Sequence, residues 1–146
     1  MAVVDNPQSI EGIKVVQEYD LIAEELIKGN EVYHWESGDS MDPILRNMEY
    51  CKIIPIQNTD GIKLGDPVFC KLKAYDESEY FMVHMVTLIS DKGADGRRWF
   101  QIGSTLGDIY GWTQDIYGIA RGTGIFQKGK AKDDWWKTLF GSGKEE

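Results

Sequence analysis

Apolar residues change their period along this chain, and each change marks a new element. Val15, Val16, Tyr19, Ile22, Ala23, Leu26 and Ile27 recur at three- and four-residue spacing, with Glu18, Asp20, Glu24 and Glu25 between them and Gly29-Asn30 as a stop. That spacing predicts one amphipathic helix over residues 15–27. Ahead of it, residues 1–14 carry a proline, a glycine and mixed polar side chains, the composition of a mobile or loosely docked arm. After it the period drops to two: Val32 and His34 alternate with Tyr33 and Trp35, which predicts a strand over 31–36.

Downstream, the stretches 50–56, 67–74, 80–90, 98–103 and 116–126 are rich in β-branched and aromatic residues. Turn clusters at Asn58-Thr59-Asp60-Gly61, Asp76-Glu77-Ser78-Glu79, Asp91 to Gly96 and Gly107-Asp108 separate them. Short strands with regular punctuation predict a mainly β, curled or barrel-like domain over residues 15–127. Residues 128–146 change character. There Gly and Lys surround Asp133-Asp134-Trp135-Trp136-Lys137-Thr138-Leu139-Phe140, which reads as a short C-terminal helix whose Trp135 and Trp136 pack on the domain or dock a partner.

Composition narrows the function classes. A chain of 146 residues suits one domain with a real core. The net charge of −8, with no basic stripe, argues against nucleic acid as a partner. Cys51 and Cys70 lie in apolar strand contexts without a C-x-x-C pair, so they read as reduced, buried thiols, and neither a metal nor a cofactor is expected. No run approaches the ~18 apolar residues of a membrane span, and no signal pattern opens the chain. The expectation is a soluble, cytoplasmic protein without a membrane span, or a virion-associated one if phage-encoded.

Candidate chemistry centres on Ser37-Gly38-Asp39-Ser40-Met41-Asp42-Pro43, a glycine-loosened turn that presents a serine hydroxyl. A serine needs a base within hydrogen-bond reach to act as a nucleophile. His84, within Phe81-Met82-Val83-His84-Met85-Val86, is the first candidate, and His34 is its rival. A serine in such a turn is ordinarily a capping residue, and a histidine on an apolar strand ordinarily a satisfied core group. His34, six residues before Ser40 on the entering strand, suits a structural or surface place better than that of a base. Asp66 reads as a turn carboxylate, and Met41 as a core or pocket-wall residue.

A helix, then Ser-Gly-Asp-Ser-Met, then Leu64-Gly65-Asp66-Pro67-Val68 opening a strand, then the His84 segment, resembles the S24/S26 serine peptidases. These include LexA/UmuD-type self-cleaving proteins and signal peptidases. The resemblance covers about residues 19–124 and implies Ser40 as nucleophile, His84 as general base, and an extended polypeptide substrate with small residues near the cleaved bond. Members with a lysine base need its pKa lowered by burial; histidine already titrates near neutrality. The histidine-using branch places an orienting acid near the end of the domain, which maps first onto Asp108 and second onto Asp115. Ser104 stands where that pattern often has an aspartate.

The oxyanion hole would use the Ser40 N–H with Ser37 or Gly38, and Met41 would line the substrate site. A different class stays beside the enzyme: a non-catalytic descendant of the fold, serving as an assembly or homo-oligomeric protein in a phage particle or regulatory complex. A third reading is a precursor that cuts its own arm. Against that one, Gly12 is the arm's single glycine, and no Ala-Gly or Cys-Gly pair precedes Ser40.

Overall fold

The helix and the first long strand assemble around one buried surface. Helix α1, Tyr19–Ile27, buries Ile22, Ala23 and Leu26 and leaves Asp20 and Glu24 outside, as the helical period requires. Its C-terminus closes with paired bonds, Gly29 N–H to the Leu26 carbonyl and Asn30 N–H to the Glu25 carbonyl, which satisfy two orphan acceptors. The helix starts four residues later than its apolar period suggests. Val15 instead bridges Tyr33, and the Val16 N–H donates to the Tyr33 carbonyl, so this β-branched pair is held as extended chain beside the following strand.

The computed structural model describes residues 9–10 and 13–127. The expected C-terminal helix with Trp135 and Trp136, and most of the expected N-terminal arm, lie outside the described residues. Within the arm, β1 (Ser9–Ile10) and β2 (Ile13–Lys14) pair antiparallel.

Seven further strands follow: β3 Val32–Trp35, β4 Glu49–Pro55, β5 Pro67–Lys73, β6 Glu79–Ile89, β7 Phe100–Gly103, β8 Ile109–Thr113 and β9 Ile116–Phe126. They form one antiparallel sheet in the order β3-β4-β9-β5-β6-β7-β8. Strands make up 46 % of the described residues against one short helix, so the fold is mainly β. The sheet curls but does not close: β3 and β8 are its edges, and the full barrel among the expected shapes is not reached. Curling brings β8 toward β5, where the Thr113 hydroxyl donates to the Lys71 carbonyl at 2.6 Å and the Lys71 N–H to the Asp115 carbonyl at 3.0 Å.

Because β5 is central, both of its faces are covered, and Pro67-Val68-Phe69-Cys70 is an unbroken buried run. Phe69 joins Ile22, Leu26, Ile53, Val83 and Ala120 under α1. Val68 and Cys70 join Val86, Phe100, Ile102 and Ile116 in a second cluster. Cys51 and Cys70 are free and buried, and burial pushes both thiols up to about 12.

Candidate active site

Ser40 sits in the bend between β3 and β4, and the bend is pinned from below. Met41 and Leu45, 5 % and 7 % exposed, insert into the cluster under α1, while the Ile44 and Leu45 N–H groups both donate to the Met41 carbonyl. Gly38 adopts a φ of +105°, a conformation that costs any side chain strain, and its N–H donates to the Asn47 side-chain carbonyl at 2.7 Å. These anchors leave Ser40 half-buried between an exposed turn and the core.

Register then decides what the serine meets. Met85 of β6 pairs with Gly103 of β7, which puts the β7–β8 turn next to His84. That turn clasps the bend: the Thr105 N–H and hydroxyl both donate to the Ser40 carbonyl, at 2.8 and 3.1 Å. A Cβ at Gly103 would lie 2.4 Å from the Asp108 carbonyl oxygen, so only glycine permits this close approach. The result is a distance of 3.0 Å between Ser40 Oγ and His84 Nε2, across 44 positions of sequence. The His84 ring also tilts against Tyr110 at 4.6 Å between centroids.

The imidazole is set up as a neutral acceptor. Burial pushes the His84 pKa below its ordinary value, against the charges of Glu36 and Asp108, which pull it upward. With the Ser40 hydroxyl donating to Nε2, the ring proton belongs on Nδ1, which is buried without a hydrogen-bond partner among the described residues.

The other expected residues are placed as follows. Asp108 is exposed, and its carboxylate meets the Ser104 hydroxyl at 3.4 Å; it makes no hydrogen bond to His84. Asp115 follows β8, its N–H donating to the Thr113 hydroxyl and its carbonyl accepting the Lys71 N–H. Asp66 accepts the Lys63 N–H at 2.8 Å within its own turn. Ser37, Gly38, Met41 and Glu36 line a cavity of about 20 Å³ beside Ser40, room for little more than one water-sized group. Gly38 has committed its N–H to Asn47, so Ser37 and the Ser40 N–H are the donors still open among the described residues.

His34 is a buried structural group, 2 % exposed. Its Nδ1 donates to the Val16 carbonyl at 2.9 Å, and its Nε2 lies 2.8 Å from Glu36 Oε2, which also accepts the Tyr19 hydroxyl. Burial alone would raise the Glu36 pKa. The hydrogen bonds from His34 and Tyr19, with the charges of His34 and His84, outweigh it and hold the carboxyl below its usual range. Sequence reasoning missed Glu36, because a glutamate just past a strand carries no pattern of its own.

Known protein families, curated proteins and solved structures offer no match to this chain. Its chemistry has to be read from the geometry alone. A roomier cavity of about 580 Å³ lies beyond the other end of β4, lined by Asn58, Asp60, Lys92, Arg97, Arg98 and Tyr117, with no paired nucleophile and base. Among the described residues there is no metal-binding cluster, and no helix is long and apolar enough to cross a membrane.

Proposed function

We propose that this chain is a serine endopeptidase of the S24/S26 type, with its open, curled sheet a variant of the LexA and signal peptidase fold. The observation that carries the reading is the 3.0 Å contact between Ser40 Oγ and His84 Nε2. In the proposed reaction His84 Nε2 takes the Ser40 proton as Oγ bonds to the substrate carbonyl carbon, and the Ser40 N–H supports the resulting oxyanion. Collapse breaks the peptide C–N bond while the imidazolium returns its proton to the leaving amine. Water, activated by the same imidazole, then releases the acyl group and restores Ser40.

Asp108 is the orienting acid in this scheme and would have to turn from Ser104 to His84 Nδ1. The small cavity beside Ser40 suits a substrate with a short side chain at the cleaved bond. Labelling with a fluorophosphonate probe tests the reading: the wild-type chain should become covalently modified and Ser40→Ala should not. Equal modification of both proteins would remove the claim.

One observation favours the second reading, a peptidase-like fold used in assembly. Among the described residues His84 Nδ1 has no hydrogen-bond partner and Asp108 stays with Ser104, so the base lacks there the support a working histidine usually has. A chain that resists the probe at all pH values, yet binds a partner equally well as Ser40→Ala, would belong to that class.

A further inference from the structure

We infer that Glu36, held by Tyr19 and His34 at the rim of the Ser40 cavity, is the carboxylate that stabilises the charged form of His84, in preference to Asp108. The inference rests on the peptidase reading for its purpose, but its evidence is the placement of charges around one imidazole. Glu36 directly follows β3, is 27 % exposed and lines the same cavity as Ser40. Asp108 is exposed, and water and salt screen a carboxylate there. A charge in the less hydrated position acts over a longer range.

The carboxylate is also fixed in direction. Oε2 takes both the Tyr19 hydroxyl and His34 Nε2, which leaves Oε1 without a hydrogen bond among the described residues. Tyr19 is itself locked, its ring edge-on to Phe69 at 5.7 Å and tilted against His34 at 5.6 Å. Glu36 is thus a positioning residue: it need not touch substrate, and it favours the imidazolium that forms when His84 takes a proton.

Other titratable groups set the size and sign of the effect. Facing Glu36 are Tyr19 from α1, His34 from β3 and Cys51 from β4, and facing His84 are Ser40, Asp108 from the β7–β8 turn and Tyr110 from β8. Arg46 and Glu49 share the cavity rim and lie 3.8 Å apart, largely offsetting each other. His34 is the group that matters most. The Val16 carbonyl can only accept, so Nδ1 carries a proton; an ionised Glu36 then calls for a second proton on Nε2. A carboxylate and an imidazolium on the Ser40 side of the site bias His84 in opposite directions. Two substitutions should therefore have opposite signs. Removing the Glu36 charge should lower the His84 midpoint, and removing the His34 charge while Glu36 stays ionised should raise it.

The chain has two histidines, so imidazole NMR titration of the full-length protein can follow His84 without substrate. The expected result is a lower His84 midpoint in Glu36→Gln, a larger fall than in Asp108→Asn, and a higher midpoint in His34→Gln. In the same variants the acid limb of kcat/KM should move with the midpoint, and kcat of Glu36→Gln should fall about tenfold, the worth of one well-placed charge. A midpoint unmoved in Glu36→Gln, or moved the same way by both Glu36→Gln and His34→Gln, overturns the inference. If Glu36→Gln does not fold, the reciprocal measurement applies: His84→Gln should raise the Glu36 carboxyl midpoint, and no change overturns the inference. Opposite shifts without hydrolysis would sink the peptidase reading alone; hydrolysis lost in Ser40→Ala with unmoved midpoints would sink this inference alone.

Discussion

The two histidines of this chain occupy opposite kinds of place. His34 is enclosed, and both ring nitrogens are used, one on the Val16 carbonyl and one on Glu36. His84 is half-buried, with one nitrogen on the Ser40 hydroxyl and the other without a hydrogen-bond partner among the described residues. A ring with every valence satisfied is fixed in its protonation by its neighbours, whereas a ring facing a single hydroxyl keeps a lone pair that can accept a proton. The first arrangement holds structure together. The second leaves reactivity open.

Breaking each histidine should separate those roles. His84→Gln is expected to lower peptide hydrolysis by about a thousandfold or more while changing the thermal midpoint little, as measured by steady-state rates beside a melting curve. His34→Leu should do the reverse. It leaves the buried Val16 carbonyl unpaired and removes one of the two bonds to the half-buried Glu36 carboxylate, at a cost of about 2–3 kcal/mol read from urea unfolding, and unchanged stability would deny it a structural part.

A smaller effect is expected from the clasp. Thr105→Val removes the hydroxyl bond to the Ser40 carbonyl but keeps the N–H bond, so turnover should fall about tenfold with the fold retained. Rates equal to wild type would show that the backbone bond alone aligns the serine.

The pH response sharpens the contrast further. Because the folded-state pKa of His84 is lowered, the unfolded chain binds the extra proton more readily. Its contribution to stability is therefore full above the ordinary histidine value near ~6.5 and is lost as pH falls through the lower folded value. His84→Gln should flatten that part of the urea-midpoint profile, and an unchanged slope there would contradict the assignment. Activity should likewise persist somewhat below the ordinary histidine range before it is lost. The least change is expected from Tyr19→Phe, which deletes one of the two bonds to Glu36 and should cost about 1 kcal/mol in the same unfolding measurement.

Legibility in the sequence followed the strength of local pattern. The strands from β3 to β7 and β9 were readable within a residue or two, because alternation at Val32–Trp35 and unbroken apolar runs such as Pro67-Val68-Phe69-Cys70 are direct signs of one- and two-sided burial. β8 was not. The sequence marked only the Gly107-Asp108 turn there, and it is pairing with β7 that makes Ile109–Thr113 a strand. Val15 and Val16 fitted the helical period yet bridge to Tyr33, a tertiary contact no local period encodes.

At the candidate site, Ser40 and His84 stood out through motif order. Glu36 and Thr105 did not, since their relation to Ser40 and His84 depends on the register of β6 with β7 and on how the bend folds over it. Asp108, expected as the orienting acid, lies on the β7–β8 turn and meets the Ser104 hydroxyl.

The Thr105 grip on the Ser40 carbonyl spans 65 positions, so the alignment of the reactive alcohol is not stored in the motif that names it. A loop copied from Glu36 to Met48 into another scaffold would carry the letters and leave behind the clamp that aims them.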